Sequence, residues 1–171
     1  AAVKRRTALL ALAVVTVLVS LSHLELEQHD YSWLLRIDGR PVDLAGQVAE
    51  LRERLLRDCR QVQTLTHDDP RTALALQAVQ NHSPPDSRSA SMTGLWAQGD
   101  WMLASVQFAS LHPALALLRR EPHGWQVVQG GVWSGSTHPF RPGPYIRRYL
   151  ERRVPEAPAD LLACHAGWLN L

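Results

Sequence analysis

The sequence predicts an α+β fold: an N-terminal transmembrane helix, then helices packed on a roughly four-stranded antiparallel β-meander, with a C-terminal helix. Three observations predict it. Residues 92–133 hold four short apolar runs separated by compact turn signals, and they carry four of the six tryptophans. Apolar side chains recur at helical spacing from Leu44 onward, and Pro144 opens a second such stretch near the C-terminus. Residues 7–22 (TALLALAVVTVLVSLS) are uncharged and follow Lys4, Arg5 and Arg6.

That run is expected to be a single-pass anchor in a bacterial inner membrane. A helix of its length covers roughly 24 Å, short of a ~30 Å hydrocarbon core unless Leu24 and Leu26 extend it. Its basic flank is expected on the cytoplasmic side, which places the body in the periplasm. A cleaved signal peptide is the competing reading, with Ser20 and Ser22 as its small-residue site. The organisation is therefore a flank and anchor over residues 1–27 and an extracytoplasmic domain over 28–171.

Residues 31–37 (YSWLLRI) read as a strand that Asp38-Gly39 turns, with Pro41 holding any second arm at an edge. Asp43 can cap a helix whose apolar positions Leu44, Val48, Leu51, Leu55, Cys59 and Val62 form one stripe, expected to be buried. Glu50 with Arg54 and Glu53 with Arg57 add i,i+4 pairs on other faces. Asp69-Pro70 starts a short helix over 70–81, and residues 83–91 (SPPDSRSAS) are a loop by composition. In the meander, residues 92–97 and 101–108 flank the turn 98–100. Met102, Ala104, Val106 and Phe108 are the better core face of the second arm, opposite Trp101, Leu103, Ser105 and Gln107. Residues 114–119 and 125–133 are the remaining arms, and Gly130-Gly131 marks a bulge or close backbone approach. The last helix, from Pro144, turns Ile146, Tyr149 and Leu150 inward and Arg147, Arg148 and Arg152 outward. A short turn at 159–163 leads to Cys164, and Trp168 and Leu169 clip the tail.

A composition of 46% hydrophobic and 20% charged residues is that of an ordinary globular domain. Without Lys4, Arg5 and Arg6 the body has 15 basic against 16 acidic residues, so no basic surface for nucleic acid is expected. Cys59 and Cys164 are too far apart for a CxxC motif. In an oxidising compartment they would close a loop worth roughly 4 kcal/mol, and two buried thiols are the alternative.

No cofactor, metal or catalytic signature emerges. The eight histidines fall in no paired ligand spacing. Ser134-Gly135-Ser136 lacks the flanking glycines of a nucleophile elbow. Asp68, Asp69 and Asp160 read as helix starts. His165 beside Cys164 would make a thiolate and imidazole pair only if two chain neighbours faced each other and the thiol stayed free. Two groups have the chemistry of an interface. Arg147, Arg148 and Arg152, with Arg141 and Arg153, read first as a solvated helix face partly neutralised by Glu151 and Glu156, and second as a basic patch for anionic headgroups or a partner. Trp96 and Trp101, with Trp125 and Trp133, read as core side chains first and as interface anchors second.

At Gly99 to Ala104 (GDWMLA), Ala116 to Arg119 (ALLR), Gly124 to Val128 (GWQVV) and the late stretch 158–164, the chain resembles small bacterial membrane-anchored extracytoplasmic α+β domains. It also looks like the cystatin-like and NTF2-like cone folds, in which helices lie on a curved antiparallel sheet. Such folds host binding, assembly and, more rarely, catalysis, so the choice rests on the single anchor, the small α+β body and the lack of a catalytic constellation. The expected function is thus a non-catalytic, membrane-anchored accessory or assembly protein of a cell-envelope complex. Its expected partners are the bilayer, through residues 7–22, and protein in the membrane or periplasm. An anchored binding module taking a small apolar ligand or peptide is the alternative, and a hydrolase or thiol enzyme a remote third.

Overall fold

The computed structural model describes residues 23–165. The basic flank, the expected anchor over 7–22, and Trp168 with Leu169 lie outside them. Among the described residues the chain is α+β, with a three-stranded and a five-stranded antiparallel sheet and four helices.

The first sheet is a meander of β1 (Leu24–His29), β2 (Ser32–Ile37) and β3 (Arg40–Val42). Asp38 and Gly39 both have positive φ, 51° and 75°, as a two-residue type I′ hairpin requires. Pro41 sits in the short edge strand, where its missing N–H costs the ladder nothing. β1 is an addition to the expected single strand. The boundary drawn at residue 27 falls inside it, and Leu24 and Leu26 pair with Ile37 and Leu35.

Helix α1 (Leu44–Leu56) starts at Asp43, whose side chain accepts from Gly46 N at 2.7 Å. It ends at Leu56, six residues before the last apolar position of the expected stripe, Val62. Arg57 is already extended at ψ 139°, and Asp58 Oδ1 accepts from Arg60 N at 3.1 Å. Such a local side-chain bond offers the backbone an alternative to another helical turn. Cys59 and Val62 are therefore off the helix, and the chain continues into a strand the sequence does not announce, β4 (Gln63–Thr64).

The second sheet runs in the order β4, β5 (Ser91–Gln98), β6 (Trp101–Gln107), β7 (Ala114–Glu121), β8 (Gly124–Ser134). It is five-stranded where roughly four strands are expected, and helices cover both faces. Helix α2 (Pro70–His82) sets Ala75 and Val79 against Met102, Ala104, Val106 and Leu118. On the other face α3 (Pro142–Arg153) and α4 (Ala159–Ala163) set Ile146, Leu150, Leu161 and Leu162 against Trp96, Leu103, Leu115 and Leu117. A strand buried on both sides is apolar throughout rather than alternating. This corrects the expected single core face of β6, because Leu103 and Ser105 are as buried as Met102. The bulge at Gly130-Gly131 is present. The β7 register shifts between Ala116 and Leu118, and a Cβ on Gly131 would lie 3.0 Å from that of Leu117.

Candidate functional site

Leu44, Val48, Leu51 and Leu55 do form one stripe on α1, but they are 47–74% exposed instead of buried. The helix turns its small and acidic side inward. Gly46 is buried, and Ala49, Glu50 and Glu53 are half-buried. Opposite them stand the arginines of α3 and its entry. Arg147 Nη1 lies 3.0 Å from Glu53 and its Nε 2.7 Å from Glu151, while Arg141 Nη1 lies 3.3 Å from Glu50. Burial pushes the Glu53 carboxyl above its ordinary pKa, and Arg147 pulls it back.

Asp43 fixes this orientation. Its Oδ1 caps α1 through Gly46 N, and its Oδ2 accepts from Arg141 N at 2.8 Å, just before α3. One buried carboxylate thus holds two helix starts together.

Of the expected basic patch, Arg141, Arg152 and Arg153 stay exposed, while Arg147 and Arg148 are half-buried. Arg148 Nη1 donates to Tyr31 O at 2.9 Å and to Ser32 Oγ at 3.1 Å. Arg152 donates to Asp30 O, and its guanidinium lies 5.3 Å from the centre of the Tyr31 ring. Tyr31 packs edge-on against Tyr145 and Tyr149, and His29 against Phe140. Arg147 and Arg148, half-buried, turn toward the chain's own N-terminal layer where an outward orientation is expected, while Arg152 stays exposed as expected.

The tryptophans sort as core. Trp96 is 8% exposed, lies over Gly94 and packs 5.1 Å from the His165 ring. Trp101 is half-buried against the same cluster, with the Arg119 guanidinium 5.4 Å from its ring centre. Trp33, which carried no weight in the sequence, is 47% exposed. Its signal was the alternation of Trp33, Leu35 and Ile37 beside Leu24 and Leu26.

A groove of about 890 Å³ runs between α1, α3 and α4. Leu44, Val48, Leu56, Ala159 and Ala163 share its lining with seven charged side chains, among them Glu53, Arg147, Arg148 and Glu151. Cys59 and Cys164 form a disulfide at a Cα separation of 5.5 Å, beside Arg57, which donates to Ala163 O at 3.3 Å. With Cys164 in that bond, no thiolate stands beside His165. Burial holds the His165 imidazole at a pKa of about 3. Among the described residues no group of three or more His, Cys, Asp or Glu could hold a metal, and no helix is long and apolar enough to cross a membrane.

No family model, curated protein or solved structure matches this chain. What the surface can do is therefore judged from its own side chains. Burying a Leu or Val side chain is worth about 1.5–3 kcal/mol, whereas a half-exposed ion pair returns about 0–1 kcal/mol. An α1 that faces acids inward and leucines outward forgoes the larger of the two. Chemically such a surface can dock an apolar or amphipathic segment.

Proposed function

We propose that the protein is a non-catalytic, membrane-anchored assembly protein of a bacterial cell envelope that docks a protein partner through the exposed stripe of α1. The observation that carries the reading is the outward direction of Leu44, Val48, Leu51 and Leu55 on a helix whose inner face is fixed by ion pairs. Their steps of four, three and four residues match the seam that a partner helix packs into. Arg52 and Arg54 flank the seam on both sides. A second copy of α1 would set arginine against arginine there, so the fitting partner is a helix with acidic flanks.

Residues 7–22 supply the anchor and place the domain on the outer side of the inner membrane. Affinity purification from detergent-solubilised native membranes tests the reading. The wild-type chain retains a stoichiometric partner, and Val48→Asp with Leu51→Asp loses it while staying folded. A wild-type chain that runs as a lone monomer removes the assembly role.

The groove of about 890 Å³ between α1, α3 and α4 favours a second reading, in which an apolar peptide is the ligand. Retention of the membrane partner by the Val48→Asp, Leu51→Asp variant, together with loss of peptide binding, would favour it over the first.

A further inference from the structure

The first sheet is turned outward in the same way as α1, and it follows residue 22 directly. The pairing of Leu24 with Ile37, Leu26 with Leu35, Gln28 with Trp33 and Leu35 with Val42 puts all of these side chains on one face. Directly opposed residues in an antiparallel pair share a face. On it Leu26 is 68% and Trp33 47% exposed, and Leu24 and Ile37 are both 40% exposed. The acids of β1 project from the other face, where Glu27 accepts from Arg36 Nε at 2.9 Å and buried Leu34 and Ser32 meet the body. The only charged side chain on the outward face of these paired strands is Arg40, opposite Ile37. Nine of the eleven exposed large hydrophobic side chains among the described residues fall within 24–56, so outward apolarity is a property of this layer and not of the surface at large.

We propose that the outer face of the three-stranded sheet lies on the bilayer, with Trp33 at headgroup depth and Arg40 toward anionic phosphates. This rests on the reading of residues 7–22 as an anchor. Leu24 is two residues beyond Ser22, so the strand begins within roughly 7 Å of the end of the apolar run. A face so tethered meets lipid before any soluble partner. Its composition is that of an interfacial surface: aliphatic side chains, an amphipathic indole, a cation and no acid. Covering this face would also stop the domain from swinging freely, leaving the α1 stripe at a set height above the membrane.

The full-length chain, reconstituted in phosphatidylcholine and phosphatidylglycerol vesicles with plain or brominated acyl chains, tests the proposal by tryptophan fluorescence. The wild type is expected to lose intensity in brominated vesicles, and Trp33→Phe to abolish most of that loss. Leu26→Asp, an exposed position that the fold does not need, should reduce it while the protein still floats with the vesicles. Quenching that is unchanged by Trp33→Phe overturns the proposal but leaves the anchor in place. So does an unquenched Trp33 in a chain that floats, whether a second copy or a protein partner covers the face instead. Failure to float would remove the anchor reading and this proposal with it.

Discussion

Asp43 and His165 are both buried polar side chains with consequences for stability. Asp43 is 6% exposed and accepts from two backbone N–H groups, Gly46 N and Arg141 N. Losing a helix cap costs about 1 kcal/mol, and stranding a buried donor about 1–3 kcal/mol. Asp43→Ala is therefore expected to lower unfolding stability by about 2–3 kcal/mol in urea titration. An unchanged midpoint would show that the carboxylate does not join the two helices. Gly46→Ala should act through the same bond, since its Cβ would come within 2.0 Å of Asp43 Oδ2. His165 sets an acid limit. Burial lowers its pKa from 6.5 to about 3, so the fold holds it neutral while the unfolded chain takes up a proton below 6.5. Its contribution is complete above pH 6.5 and declines as pH falls from there toward 3, by up to about 1.4 kcal/mol per pH unit. Glu53, with its pKa raised, contributes in the opposite sense. Asp69, lowered from 3.8 to about 2 chiefly by the Arg71 side chain, adds its loss only below 3.8. Subtracting the pH profile of His165→Gln from that of the wild type removes both. A flat difference between pH 7 and pH 4.5 would contradict the buried neutral imidazole.

α1 and β6 are both apolar, and they should respond oppositely to substitution. Leu103 on β6 is fully buried between the sheet and α3, so Leu103→Ala is expected to cost about 2–5 kcal/mol. Val48→Asp on α1, at 67% exposure, should change stability by no more than about 0.5 kcal/mol. A large loss at Val48 in thermal or urea unfolding would mean that the stripe is covered within the chain. The spacing of Leu44, Val48, Leu51 and Leu55 was legible in the sequence, but the direction of the stripe was not. Periodicity reports that a helix has an apolar side, whereas what faces that side depends on residues a hundred positions away, here Arg141 and Arg147. The same long-range pairing hid the inward role of Arg147 and Arg148. β1 was obscured differently. LELEQH alternates with period two, yet its leucines adjoin the apolar run over 7–22 and read as its extension. β4 has two residues and exists only because β5 offers it an edge.

At the scale of the whole molecule, the five-stranded sheet with helices on both faces is a self-sufficient core, and residues 24–56 form a layer tied to it by Asp43, the α3 arginines and the Tyr31 cluster. The meander of residues 92–133 was readable because its strands are local and its turns are marked by Gly99, Pro113 and Gly124. The pairing of Cys59 with Cys164 was also readable, because two lone cysteines leave one intramolecular choice. Their disulfide closes a loop of sequence separation 105 and fastens the end of α1 to α4. Replacing both by Ala should lower stability by about 3–4 kcal/mol. If urea unfolding of the oxidised wild type and the double variant coincided, the bond would contribute nothing to holding the N-terminal layer. The central proposal concerns that layer: a partner helix covers the leucines that α1 turns outward. Site-specific photocrosslinking in the native membrane tests it most directly, with a photoreactive residue placed at Val48 or, as a control, at Leu74 on α2, which is also exposed. The account predicts one discrete heterologous adduct from position 48 and none from position 74. No adduct from position 48, or the same adducts from both positions, would contradict it.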